Sequence, residues 1–444
     1  MLKTFAKGGI HPPENKLSAD KKIETLAIPK QVFVPVSQHI GAPAKVLVKK
    51  NDLVKVGQLI AEQGGFVSAN IHSPVSGKVF KVDNVTDTSG YKRQAIIINV
   101  DGDEWDGKID RSEELKKDFD FTSEEIIKKV QEAGIVGLGG ATFPSHVKLM
   151  PPKGTKAEIL IINGVECEPY LTSDHRLMLE KADEMLVGIQ ILMKALKVEK
   201  ASIGIENNKK DAIEHLSKLS KDYKGIEVVP LKVQYPQGGE KQLIKAVIGR
   251  EVPSGSLPIA VGAVVHNVGT AFAVYEAVQK NKPLIERVVT ITGKSVKKPG
   301  NFLIRFGTPI SDLIDAAGGL PEDTGKIIGG GPMMGKALNT TSVPVAKGTS
   351  GILIMPKEEA KRREIKPCIR CAKCVEVCPM GLEPFLLMTL AEKAMHERSE
   401  KEDVMDCIEC GSCSYTCPSD RPLLDFIRLG KNQVGAMRRA RSQR

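Results

Sequence analysis

The chain is expected to be a multidomain α/β protein: an all-β module first, a helix-covered sheet next, a small mixed unit after it, and a helical cysteine-rich module last. Three observations predict this. Short β-branched runs separated by turn residues fill 32–100, strands and helices alternate between 121 and 282, and eight of the nine cysteines fall in two runs of identical spacing. The boundaries follow from composition: 1–100 for an N-terminal extension and the β module, 101–120 a linker, 121–282 the alternating domain, 283–356 the small unit, 357–426 the cysteine module and 427–444 a basic tail.

At 444 residues the chain has room for about three domains. With 41% hydrophobic residues, 41 Gly and 26 Pro it suits a loop-rich folded protein rather than a disordered one. Met1 to Ile10 holds no apolar run of signal-peptide length, and the nearest approach to a membrane span, Leu257 to Tyr275, is broken by Gly262, His266, Asn267 and Gly269. The chain therefore reads as cytoplasmic. Its net charge is +10, and Arg428, Lys431, Arg438, Arg439, Arg441 and Arg444 all follow the last acid, Asp425. Such a tail is either a solvated end or a contact for anionic lipid or an acidic partner. Nucleic acid is not expected, because aromatics are only 4% and no groove-reading motif accompanies the charge.

In the β module, runs at Ala44 to Val48, Gln58 to Ala61, Gly77 to Val82 and Ala95 to Val100 are punctuated by Gly41, Asn51-Asp52, Gly57 and Ser73-Pro74. The stretches Asp52 to Ile60 and Ser73 to Val79 look like the two halves of the barrel-sandwich fold of lipoyl and biotinyl carriers. A carrier needs a lysine on the hairpin between them; Glu62 to Asn70 has none, so a structural or docking role is expected.

The alternating domain opens on a helix whose start carries a capping box, Thr122 with Glu125, and whose stop is Gly134. Strands are expected at Glu158 to Ile162, Ala201 to Ile205, Glu227 to Val233 and Gly262 to Val265. Helices are expected at Asp174 to Leu196, Lys209 to Leu219 and Thr270 to Gln279. Such alternation implies a largely parallel sheet. In the next unit Glu286 to Thr292, Phe302 to Arg305 and Ile310 to Ala317 suggest two strands and a helix of ubiquitin-like type, ahead of Gly329 to Gly335.

The cysteine runs are Cys368, Cys371, Cys374, Cys378 and Cys407, Cys410, Cys413, Cys417, each closed by proline. This is the ligand pattern of two [4Fe–4S] clusters, in which the fourth cysteine of each run ligates the other cluster. It assigns Cys368, Cys371, Cys374 and Cys417 to one cluster, and Cys407, Cys410, Cys413 and Cys378 to the other. Zinc, which also takes four thiolates, more often uses two separated Cys-x-x-Cys knuckles. Glu383 to His396 reads as a helix between the runs, and the ninth cysteine, Cys167, as a buried small residue.

Four loops of the alternating domain carry glycines beside polar groups: Gly137 to Lys148, Asn163 to Tyr170, Gly238 to Lys241 and His266 to Thr270. Glycines let backbone amides approach a phosphate or a flat ring, and loops past strand ends are where open α/β sheets gather ligands. No Ser/His/Asp arrangement accompanies them, so no catalytic side chain is assigned.

These loops resemble those of the flavin-bearing, NADH-oxidising subunit of respiratory complex I. The form here, Gly-Leu-Gly-Gly-Ala-Thr-Phe-Pro from Gly137 and Asn-Gly-Val-Glu-Cys-Glu-Pro-Tyr from Asn163, with the barrel-sandwich hybrid, a β-grasp (SLBB-like) unit and two cubane runs, is similar to the RnfC family, components of the Rnf electron transport complex, an ion-translocating ferredoxin:NAD oxidoreductase. The resemblance covers nearly the whole chain. It implies that Gly137, Gly139, Gly140, Lys148 and Asn267 hold flavin mononucleotide (FMN), that Asn163, Glu166, Glu168, Gly239 and Glu240 line the flavin and NAD(H) cleft, and that Phe143 offers a stacking surface. Leu138 and Val165 stand where the complex I protein has arginine and aspartate. The implied function is exchange of hydride with NAD(H) at FMN and passage of single electrons through two [4Fe–4S] clusters to the other Rnf subunits, especially the ferredoxin-like RnfB. The implied place is the cytoplasmic face of the membrane, held there through partners. Two alternatives stay open: a cobalamin reductase of a microcompartment, and a flavin-free relay or docking scaffold.

Overall fold

The computed structural model describes residues 2–442. Its centre is a four-stranded, wholly parallel sheet in the order Ile226–Leu231, Ala201–Glu206, Ile159–Asn163, Ala263–Asn267. The first of these strands in the chain thus lies between the second and the fourth, and the order of winding reverses between Ile159–Asn163 and Ala263–Asn267. That reversal point, at the carboxyl ends of the strands, is where such sheets open a crevice. Helices Ser123–Glu132, Ala182–Leu196 and Val268–Lys280 bury one face of the sheet in the largest core, and Glu240–Ile248 covers the other around Val165, Leu243 and Val265.

The capping box is formed: Thr122 Oγ1 accepts from Glu125 N at 3.2 Å, and Glu125 Oε2 accepts from Thr122 N at 2.7 Å. Such a cap is worth about 1 kcal/mol. The single helix expected over Asp174 to Leu196 is two, Ser173–Glu180 and Ala182–Leu196, bent at Lys181. Glu240–Ile248 was not anticipated, because its glycine-flanked start reads as loop.

The β module is a four-stranded sheet facing a three-stranded one over a Val/Ile core. Its hairpin tip docks on the parallel-sheet domain, with Asn70 Nδ2 donating to Glu132 O and Gln131 Nε2 to Gln63 Oε1. The module, expected to be structural or docking, is held to that domain through this hairpin.

The 283–356 unit builds a six-stranded sheet around Glu286–Thr292 and helix Ile310–Ala316. Its outer strand comes from elsewhere: Ile23–Thr25 pairs parallel with Gly300–Arg305. The N-terminal extension therefore does not belong to the β module alone. Short-range pattern could not reveal a three-residue strand whose partner lies far along the chain.

In the cysteine module the helix between the runs is shorter than expected, Pro384–Glu392, with a separate His396–Lys401. The expected basic tail is a helix, Leu423–Ser442, packed on both. Its cations have internal partners: Arg428 and Lys431 pair with Glu409, and Arg438 and Arg441 with Glu400. A solvated tail is thus not what forms, since helix 423–442 buries Leu423, Ile427 and Val434 against Leu387, Met388 and Val404. Arg444 lies outside the described residues. No described helix is long and apolar enough to cross a membrane.

Candidate functional site

The reversal point of the sheet brings together most of the residues singled out above. Asn163 and Asn267 are register partners at the ends of their strands. Asn267 Oδ1 caps helix Val268–Lys280 by accepting from Gly269 N at 2.8 Å, while its Nδ2 donates to Asp174 Oδ2 at 2.6 Å. Asn163 Nδ2 donates to Gly238 O at 2.9 Å, tying in the loop before Glu240. Lys148 Nζ donates to Glu240 Oε1 at 2.8 Å and to Val265 O at 3.0 Å. The Gly137 to Lys148 loop is closed by Gly137 N on Phe143 O. It lies so close to the strand end that a methyl group on Gly139 would stand 3.2 Å from Asn267 Cβ. Gly139 and Gly140 are both exposed, and Phe143 is half-buried.

The two glutamates of the Asn163 loop have other work. Glu166 takes a left-handed backbone, φ 45°, and its carboxylate accepts from Asp174 N at 2.8 Å and His175 N at 3.2 Å, capping helix Ser173–Glu180. Glu168 accepts from Met333 N and Met334 N at 3.1 and 2.7 Å, and burial lifts its carboxyl to about 7 against the pull of those amides. Gly331 lies so close to Glu168 that no side chain fits there. Glu168 therefore joins two domains rather than the group around Asn267.

Several contributors carry no sequence signal of their own. Lys16, from the N-terminal extension, donates to the carbonyls of Glu166, Glu168 and Leu171 at 2.8, 2.9 and 2.7 Å, and burial lowers its pKa to about 8. Lys209 donates to Val165 O at 2.7 Å. The buried Arg287 donates to Leu138 O at 3.2 Å, holding the glycine loop from behind, and its pKa is drawn down to about 10 by burial. Asp174 is raised to about 7 by burial and then by Glu166. None lies in a glycine motif, so only the hydrophobic environment of an isolated charge could have flagged them.

The residues fit a flavin. Lys148 supplies a cation and the glycine loop its amides. His266 beside them is buried, held neutral by burial and by Lys148, and its Nε2 has no partner among the described residues. A phosphate would compete with Glu240 for Lys148.

The second half of the site is a pocket lined by Cys378, Cys407, Cys410 and Cys413 with Pro379, Leu382, Leu424 and Ile427. These are the four thiols that the crossed ligand pattern groups together. They surround a space instead of converging on a point, and no three His, Cys, Asp or Glu side chains among the described residues are gathered to hold a single ion. A cubane suits this better than zinc, whose thiolates sit about 2.3 Å from the metal. Leu382 N and Glu409 N point at Cys378 Sγ and Cys407 Sγ, both at 3.4 Å, and burial pushes the Cys407 thiol up to about 11. The other four cysteines lie nearer the surface: Cys368 and Cys371 are exposed, Cys374 and Cys417 half-buried. Cys167, expected to be buried, is half-buried, and its Sγ accepts from Gly238 N at 3.3 Å.

Comparison with known proteins agrees with each unit. Residues 4–103 match the RnfC barrel sandwich hybrid domain, 130–276 the Nuo51 FMN-binding domain, 288–337 the SLBB domain and 360–418 the 4Fe-4S dicluster domain. The chain is 49% identical to the C component of the proton-translocating ferredoxin:NAD(+) oxidoreductase complex of Clostridium ljungdahlii, over 90% of its own length and 87% of that protein's. It is 47% identical to the C component of the Na(+)-translocating complex of Acetobacterium woodii over 98% of both chains. The chain belongs to the RnfC family. An NAD+-reducing [NiFe]-hydrogenase in the air-oxidized state shares the fold at 19% identity, with a TM-score of 0.51 over 70% of this chain; the chain spans 63% of that structure's chain.

In this member of the RnfC family, the departures from the complex I pattern have a physical account. Leu138 and Val165 are both buried, Leu138 in the main core and Val165 under helix Glu240–Ile248. Their side chains pack the domain and lie against Gly269 and Gly238 of the neighbouring loops.

Proposed function

We propose that this chain is the NAD(H)-facing electron-transfer subunit of an ion-translocating ferredoxin:NAD+ oxidoreductase complex, with FMN held at the sheet reversal point and two [4Fe–4S] clusters in the C-terminal module. FMN, when bound, supplies the conversion between a hydride and single electrons that nicotinamide and iron–sulfur clusters cannot make directly. The protein's part is to hold the phosphate at Lys148 and the Gly137, Gly139 and Gly140 amides, and to place Asn163, Asn267, Gly239 and Glu240 along the cleft. Phe143 would flank the ring, and the Asn163 loop with Glu166 and Glu168 would form the cleft's wall through its backbone.

One observation supports the route. The buried Tyr235 donates its hydroxyl to Cys410 O at 2.8 Å, and the short stretch from Tyr235 to Gly239 runs from the cluster cavity to Asn163. Electrons would reach the Cys378/Cys407/Cys410/Cys413 cluster first and the surface cluster second. From there they would pass to partner subunits, the ferredoxin-like RnfB among them, on the cytoplasmic face of the membrane and with membrane attachment through those partners. Anaerobic purification should give one flavin and about eight irons per chain, with both chromophores bleached by NADH. A second reading, a relay that binds no flavin, rests on Leu138 and Val165 standing where the complex I protein has arginine and aspartate. Clusters that stay oxidised with NADH and added FMN would establish that reading instead.

A further inference from the structure

The ligands Cys368 and Cys371 lie in a long irregular segment. Residues 361–372 have neither helix nor strand, and every one of them is exposed, Cys368 and Cys371 included. From Lys361 to Glu376 there are six cations, Lys361, Arg362, Arg363, Lys366, Arg370 and Lys373, against two acids, Glu364 and Glu376. Arg362 and Arg363 lean on Asp425 and Asp420, but Lys361, Lys366, Arg370 and Lys373 have no ion pair among the described residues. This differs from helix 423–442, where Arg428, Lys431, Arg438 and Arg441 are paired.

Large apolar side chains sit among these charges. Ile369 is 67% exposed and stands between Cys368 and Cys371; Tyr415, 52% exposed, lies two residues before Cys417. The helices carrying Cys374 and Tyr415, Lys373–Glu376 and Ser412–Thr416, pack on each other, and the chain at Phe385, also exposed, hydrogen-bonds Cys374. Exposed apolar side chains thus lie next to the cluster ligands, with unpaired cations among them. An apolar centre with a charged rim is the anatomy of an interface, and a single-sign rim speeds and orients encounter with an oppositely charged partner.

We infer that this face docks an acidic one-electron carrier protein, with Lys366, Arg370 and Lys373 steering it and Ile369 and Tyr415 making the dry contact. The inference rests on the proposed route in which the surface cluster is the outlet. In the step itself the surface cluster loses one electron and the carrier's centre gains it, with no bond made or broken.

The test uses the full chain with its clusters, reduced by dithionite and freed of excess reductant, so that it does not depend on flavin or NADH. Stopped-flow mixing with an oxidised small acidic ferredoxin gives the second-order rate, measured from low to high salt. Charge reversal, K366E/R370E/K373E, should slow that rate by about tenfold or more at low salt and converge with the parent at high salt. Its rate with a basic cytochrome should rise, and that with an uncharged small acceptor should not change. The milder K366Q/R370Q should fall between, with iron content and cluster spectra intact. A reversed variant as fast as the parent with ferredoxin, or one slowed equally with the uncharged acceptor, overturns the inference. Failure of NADH to reduce the clusters would touch the flavin reading and leave this result standing.

Discussion

Asn267 faces Asn163 across two adjacent parallel strands and uses its one amide to cap a helix and hold Asp174, close beside Gly139 of the glycine loop. Asn267→Ala should therefore lose about 0.5–2 kcal/mol from the cap alone and leave the Asp174 carboxyl without its donor. Flavin content after anaerobic purification should fall with it. Asn267→Asp keeps an acceptor for Gly269 but sets two carboxyls face to face, so it should recover stability less fully than Asn267→Ser. Thermal unfolding and flavin absorbance together check this; unchanged flavin content in the alanine variant would remove Asn267 from the flavin site.

Lys347 is fully buried where three domains meet, donating to Asn70 O at 2.9 Å and Gly134 O at 2.7 Å. Burial lowers its pKa from 10.5 to about 7. Between about pH 7 and 10.5 the unfolded chain holds a proton that the folded chain has released, so stability rises with pH across that window, by up to about 1.4 kcal/mol per unit. His39 and His72 near it, pulled down to about 4 and about 3 chiefly by burial, act with the same sign below pH 6.5. Lys347→Met should leave two buried carbonyls unpaired at about 1–3 kcal/mol each. Denaturant titration at pH 7 and pH 9 should show the parent's gain and its loss in the variant.

Tyr235→Phe removes one buried hydrogen bond and little volume, a cost of about 1 kcal/mol. If the Tyr235 to Gly239 stretch couples flavin site to clusters, NADH should still bleach flavin at the parental rate while cluster reduction slows. Rapid-mixing spectra at separate flavin and cluster wavelengths distinguish the two steps. Equal rates in both proteins would show that Tyr235 only braces the loop.

Crossed ligation makes a prediction that uncrossed ligation does not. Cys378→Ser should disturb the cluster held by Cys407, Cys410 and Cys413, whose cavity it lines, and spare the one near the surface. Cys417→Ser should do the reverse. Iron content should drop from about eight towards about four in each, but only the Cys378 variant should lose the cluster in contact with the Tyr235 loop.

The grouping of Cys378 with Cys407, Cys410 and Cys413, which line one pocket, was legible in spacing alone, because a cubane fixes how far apart its cysteines can lie on a tight loop. Parallel strands were legible too, since Ile159–Asn163 and Ala201–Glu206 are buried on both faces and read as near-continuous apolar runs. The jobs of Glu166 and Glu168 were not, because a carboxylate capping a helix and one gripping a loop more than 160 residues away look the same in sequence as two cleft residues. Lys16 was hidden for a related reason: its three carbonyl partners become neighbours only after the N-terminal extension has crossed the sheet end.

That crossing ties the extension to every later part of the molecule. Lys3 bridges Leu231, Ile10 pairs with Tyr235, Gly9 donates to Val377 O, and Ile23–Thr25 completes the sheet at Gly300–Arg305. On the ribosome these residues emerge before any of their partners exist, so Lys3 and Ile10 must wait for residues 231–235, the 23–25 strand for 300–305, and Gly9 for Val377. Closure of the tertiary structure is then a late event, because the contact of Gly9 with Val377 waits for the last module to be made.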